Sequence, residues 1–264
     1  MRAWRLVAAA AALVLSMHAT AQSAQVVDLP TRPGVQERLL VLRPAGEVAS
    51  VLLLLTGGVG QLGIADDGSL ARGGNFLVRS RQLFVERGHA VVLVDTPSDH
   101  AQLLGSFRDT PEHAADLGAA VAWARRTFSR PVWLVGTSRG THSVANGGIR
   151  LQGDQAPDGL VFTSTVLGSS RRAPVTARPV QDWPLEQLHV PVLVMHHEDD
   201  TCGVCAPQQL PELMRKLRPG ASKLVTYAGG RSEGPPCEAL AHHGFNGQET
   251  QVVDDMSAWI RSRR

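Results

Sequence analysis

The sequence predicts an α/β fold: a doubly wound, mostly parallel sheet of about seven to eight strands with little or no cap domain. Three observations carry that expectation. Short continuous apolar runs at 48–55, 89–95, 132–135 and 189–197 have the composition of strands covered on both faces. Segments with helical spacing of apolar residues alternate with these runs, as strand–helix–strand units require. Turn-forming residues fall at the carboxyl ends of the runs, at 56–60, 95–99, 136–140 and 196–200, where sheets of this type bind ligands. With 264 residues, 43% hydrophobic and 19% charged, the chain is long enough for one sizeable core.

Residues 1–5 make a basic start (Arg2, Arg5), 6–17 an Ala/Leu/Val stretch, and Ala19-Thr20-Ala21 a small-residue cleavage site before Gln22. That is the pattern of a secretory signal peptide over 1–21, followed by one domain over 22–264. The apolar stretch is short for a membrane span, and an uncleaved anchor is the competing reading. The expected location is exported, periplasmic or secreted, with no stable membrane association after signal removal. Formal net charge is +2, and taking away Arg2 and Arg5 leaves about zero. Charge therefore points to no nucleic acid partner, and one Tyr with six Phe offers few surfaces for base stacking.

A Pro/Gly-marked lead at 29–34 precedes a strand at 35–42, closed by Arg43-Pro44. The buried strand 48–55 ends in Thr56-Gly57-Gly58-Val59-Gly60, and a loop runs to Gly74. Residues 75–87 have helical periodicity and stop at Gly88, a natural C-cap. A second buried strand, 89–95, follows. After a loop to Asp109, Thr110 caps a helix with Pro111 in its first turn, running to about Phe128. Strands are expected at 158–163, 189–197 and 222–227, and helices at 207–217 and 249–260. The stretch 168–188 is irregular and rich in Pro and Arg.

At the centre, the apolar run 132–135 ends in Gly136-Thr137-Ser138-Arg139-Gly140, after which small and apolar residues resume at helical spacing. Glycines two positions either side of the serine remove the Cβ atoms that would crowd so abrupt a strand-to-helix reversal. The turn sets the Ser138 hydroxyl at a helix N-terminus, whose unpaired N–H groups favour developing negative charge. This is the G-x-S-x-G nucleophile elbow. On it, and on the strand ending His-His-Glu-Asp-Asp200 and the late His242-His243-Gly244-Phe245, the chain resembles the α/β-hydrolase superfamily over most of residues 35–263. The similarity is to small, nearly lidless carboxylic-ester hydrolases and dienelactone-hydrolase-like members.

The resemblance implies a Ser–His–Asp triad in the chain order Ser, Asp, His. The family's H-G-x-x-D spacing lands on Asp200, with Asp199 and then Glu198 as alternatives; His197 replaces the glycine. His243 is expected as base because a Gly-Phe pair follows it, with His242 as alternative. The oxyanion donors implied are the amide of Arg139 and one from the Thr56–Val59 turn, Gly58 in preference to Val59. Thr56 stands where the family carries a histidine. No metal or organic cofactor is implied.

The three cysteines, Cys202, Cys205 and Cys237, flank the expected acid and base. A bridge from Cys202 or Cys205 to Cys237 would tie the two loops together, as export permits. A thioredoxin-like use of Cys202-Gly-Val-Cys205 lacks the strand–helix context.

The function implied is hydrolysis of a small-molecule carboxylic ester through an acyl-enzyme. Short-peptide or amide hydrolysis on the same triad is the alternative. Two other classes compete: a metal-dependent hydrolase drawing on His196, His197, Glu198, Asp199, Asp200, His242, His243 and the cysteines, and a non-catalytic binding protein. The short 168–188 stretch suggests an open site. Arg139, Arg171 and Arg172 near its mouth would favour anionic substrates or simply face solvent. The sequence is silent on oligomeric state.

Overall fold

The computed structural model describes residues 24–104, 106–169 and 178–263. The expected signal peptide, and Arg171 and Arg172, lie outside the described residues. The strands are β1 (Ala24–Arg32), β2 (Val35–Leu42), β3 (Ser50–Leu55), β4 (His89–Pro97), β5 (Val132–Thr137), β6 (Gly159–Thr163), β7 (Val192–His197) and β8 (Ser222–Tyr227). They form one eight-stranded sheet in the order β1-β2-β4-β3-β5-β6-β7-β8. Every pair from β4 through β8 is parallel, and β1 and β2 add to the edge antiparallel.

The helices are α1 (Phe76–Arg79), α2 (Arg81–Glu86), α3 (Pro111–Phe128), α4 (Gly140–Arg150), α5 (Leu210–Lys216) and α6 (Glu249–Arg261). They cover both faces. Side chains alternate along β3, so Val51, Leu53 and Leu55 pack with Leu117 of α3 and Val144 of α4, while Leu52 and Leu54 pack with Phe76, Phe84 and Met256 of α1, α2 and α6. Each such leucine, fully buried, contributes roughly 1.5–3 kcal/mol of hydrophobic stabilisation. This two-sided cover is why β3 reads as an unbroken apolar run.

The structure departs from the sequence expectation in three places. The lead at 29–34 is mostly strand: β1 hairpins onto β2 through Gly34, whose φ is +74°. As an edge strand it buries only Leu29, so it lacks the apolar run that marks the others. The helix expected at 75–87 is two, meeting at Ser80. The helix expected at 207–217 begins with a 3-10 turn, Pro207–Gln209, before α5. No helix among the described residues is long and apolar enough to cross a membrane.

Candidate active site

Ser138 stands between β5 and α4 with φ +53°, a left-handed conformation that a serine adopts only when its surroundings impose it. They do. Its amide donates to the Thr163 carbonyl at 3.0 Å, and the Thr141 hydroxyl donates to its carbonyl at 2.6 Å. The flanking glycines leave no room for side chains: a Cβ on Gly136 would lie 2.5 Å from the Gly140 carbonyl oxygen, and one on Gly140 would lie 2.1 Å from that of Leu55. The turn is thus pressed against the end of β3, and the half-buried serine is lifted over the sheet edge.

Beyond β7, Asp200 is buried and holds its carboxylate in a fixed frame. Oδ1 accepts from the Cys202 amide at 2.9 Å, and Oδ2 lies 2.8 Å from His243 Nδ1. The His196 Nε2–H goes first to the Cys205 carbonyl at 2.8 Å and stands 3.5 Å from Asp200 Oδ2. Burial alone would raise the Asp200 pKa. Hydrogen bonds from His196 and His243, the charge of His243 and the Cys202 amide outweigh it and hold the carboxyl down to about 2.

His243 lies in the turn His242–Gly244 after β8. Ser164 Oγ donates to its carbonyl at 2.7 Å, and Phe245 anchors the loop in the core against Phe76 and Tyr227. With Nδ1 engaged by Asp200, Nε2 is buried and has no partner among the described residues. His243 lines a cavity of about 290 Å³ together with Ser138, Gly57, Gly58, Val59 and Phe76.

The alternatives separate clearly in space. Asp199 is exposed, and only its main chain is engaged: its amide donates to His197 Nδ1 and its carbonyl accepts from His242 Nδ1 at 3.3 Å. Glu198 accepts from Thr226 instead. His242 stacks on His197, ring centroids 4.1 Å apart, and braces the acid loop from outside the cavity.

In the glycine-rich turn after β3, Gly60 donates to the Gly57 carbonyl at 3.1 Å, with Gly58 at φ +57°. Among the described residues, none of the turn and loop hydrogen bonds uses the amides of Gly58, Val59 or Arg139. Arg139 is the N-cap residue of α4. These amides are available as donors to a ligand.

Cys202 and Cys237 form the disulfide, joining the acid loop to the loop that carries His243. Cys205, the other bridge candidate, is a free buried thiol, and burial pushes its pKa up. The two clusters of metal-ligand type are poorly furnished. In the group Cys202, Cys205 and His243 one sulfur is already in the disulfide. In the group His197, Asp199 and His242 both His197 nitrogens are taken, Nε2 by the Gly229 carbonyl and Nδ1 by the Asp199 amide. Sequence reasoning treated His196 only as a metal ligand and passed over Arg108, a lone arginine in an irregular loop with no motif around it.

No family model and no curated protein matches the chain. Solved structures do. The esterase domain of a Rhodothermus marinus protein is 14% identical, aligns over 91% of this chain and 98% of its own, and has a TM-score of 0.62. The dienelactone hydrolase from Anabaena variabilis is 15% identical over 90% of this chain and 96% of its own, at 0.61. A cold-adapted esterase from an Arctic intertidal metagenomic library is 18% identical over 89% and 92%, at 0.55. The sheet order, the serine turn between β5 and α4 and these likenesses together establish that the chain has the α/β-hydrolase fold.

Proposed function

We propose that the protein is an exported serine hydrolase acting on small carboxylic esters, with Ser138 as nucleophile, His243 as general base and Asp200 as the group that orients it. The observation carrying this reading is the asymmetry of the His243 imidazole. One nitrogen is pinned to a buried, ionised carboxylate, while the other has no partner among the described residues, in a side chain that lines the same cavity as Ser138. An Nδ1–H donated to Asp200 leaves the Nε2 lone pair free to take the serine proton as Oγ attacks the ester carbonyl. The oxyanion that forms is received by the amides of Arg139 and Gly58. His243 then returns the proton to the leaving alcohol, and water drawn through the same nitrogen releases the acid.

The cavity size fits a short acyl chain, and the Cys202–Cys237 bridge suits an oxidising compartment. The neighbours named as esterases agree with ester cleavage. The test is hydrolysis of p-nitrophenyl esters of rising chain length beside aminoacyl anilides, together with mass-detected labelling by a fluorophosphonate. Ester turnover and a label on Ser138, both abolished in Ser138→Ala, are expected. Turnover undiminished in that variant would end the proposal.

A further inference from the structure

We propose that Arg108 is a positioning residue of this site, a buried cation that moulds the oxyanion loop from behind and supports the charge formed in front of it. It rests on the assignment of Ser138 and the Gly58 turn above. Arg108 is 1% exposed, and its guanidinium meets only neutral acceptors among the described residues. Nη2 donates to the Thr56 carbonyl at 3.0 Å, Nη1 to Ser143 Oγ at 2.7 Å and Nε to the Leu103 carbonyl at 3.3 Å. Ser143 Oγ is in turn paired with His113 Nε2 at 2.8 Å. Burying a guanidinium without a carboxylate is unfavourable, and burial together with the nearby charge of Arg139 pulls its pKa down from the ordinary value. A residue that only filled space here would be apolar.

What the cation holds is the loop bearing the free amides. A trans peptide points its C=O and N–H in opposite directions. Fixing the Thr56 carbonyl on Arg108 therefore turns the Gly57 N–H away from the guanidinium. The Gly57 carbonyl is taken by Gly60, which turns the Gly58 N–H out of the bend. The Leu103 amide holds the Val59 carbonyl at 2.7 Å, and Arg108 in turn holds the Leu103 carbonyl. Gly60 lies directly on the guanidinium: a Cβ there would stand 2.7 Å from Nη2. Gly57, the residue after the clamped carbonyl, packs on the nucleophile, where a Cβ would stand 2.8 Å from Ser138 Cβ. The guanidinium thus holds the peptide next to the one whose N–H, that of Gly58, is assigned to the oxyanion, and in a low-dielectric setting a desolvated charge so placed acts strongly on the transition state. A guanidinium spreads its donors over three nitrogens in a rigid planar fork and keeps its charge on burial better than an ammonium, whose donors sit on one atom.

The deciding experiment measures kcat and KM on p-nitrophenyl acetate, with melting curves, for Arg108→Gln, Arg108→Lys and Ser143→Ala. Arg108→Gln is expected to lower kcat about 30-fold with KM within about twofold, and Arg108→Lys to recover at least fivefold of that loss because the charge returns. Equal kcat in the Gln and Lys variants would reduce Arg108 to packing, and a wild-type kcat in Arg108→Gln would remove any role. Should Arg108→Gln not fold, Ser143→Ala decides: a kcat drop of about threefold at constant KM supports the inference, and an unchanged kcat overturns it. A wild-type protein that neither turns over ester nor takes the fluorophosphonate label would remove the ester-hydrolase reading and this one with it. An active wild type with an indifferent Arg108→Gln removes this one alone.

Discussion

His243 Nδ1 sits 2.8 Å from Asp200 Oδ2, and the two side chains come from loops 43 positions apart that a disulfide holds side by side. Neither residue is placed by its own loop alone. Asp200 is framed by the Cys202 amide and His196, and His243 by Ser164 and the buried Phe245.

From that pair comes the first prediction. Asp200→Asn should lower kcat on p-nitrophenyl acetate by about 10³–10⁴ with little change in KM, because an amide no longer fixes the productive imidazole tautomer. Asp199→Asn should stay within about twofold of wild type. The Asp200 pKa is depressed, so its ionisation stabilises the fold above the unfolded value near 3.9, and that contribution is lost as pH falls toward about 2. Melts between pH 2 and 5 should show a stability advantage on the order of 2 kcal/mol in wild type that the Asn variant lacks.

A second prediction concerns the bridge. Cys202–Cys237 closes a loop with a sequence separation of 35. Cys237→Ser should lower stability by about 3–4 kcal/mol through the freed entropy of the unfolded chain, read from urea melts. Activity should fall as well, since the His243 loop loses its tie to the acid. Cys205, fully buried, should resist iodoacetamide in the native protein and accept one equivalent after denaturation without reductant. More than one equivalent would show that the pair is not bridged.

Glu37 supplies the third. On β2 it is fully buried, and neither carboxylate oxygen has a hydrogen-bond partner among the described residues. Burial first, then the charges of Asp116 and Asp95, push its pKa well up against the opposing pull of Arg32. An acid with a raised folded pKa keeps its proton in the fold while the unfolded chain releases it. Stability therefore falls as pH rises from the unfolded value near 4.3, by at most about 1.4 kcal/mol per pH unit, until the folded group titrates. Glu37→Gln should remove that slope and melt higher than wild type at pH 8. Parallel stability curves for the two proteins between pH 5 and 8 would refute it.

The amino-acid sequence by itself determined the alternation of strands and helices and the turn at Ser138. Those features rest on local causes: unbroken apolar runs where both faces of the sheet are covered, helical spacing where one face is, and glycines where a Cβ would strike backbone. The edge strand β1 was illegible for the same reason, since a strand that buries one residue leaves no apolar signature. Tertiary structure alone decided which cysteine pairs with Cys237. Cys202 and Cys205 differ little in their local sequence, whereas the spacing after β7 already favoured Asp200 over Asp199 and the following Gly-Phe pair His243 over His242. Both of these cysteines are buried, and the path of the loop brings Cys202 to Cys237 as the two loops bring Asp200 to His243. Arg108 lies furthest from local reading, because its acceptors, at Thr56, Leu103 and Ser143, are up to 52 positions away and carry no charge to match.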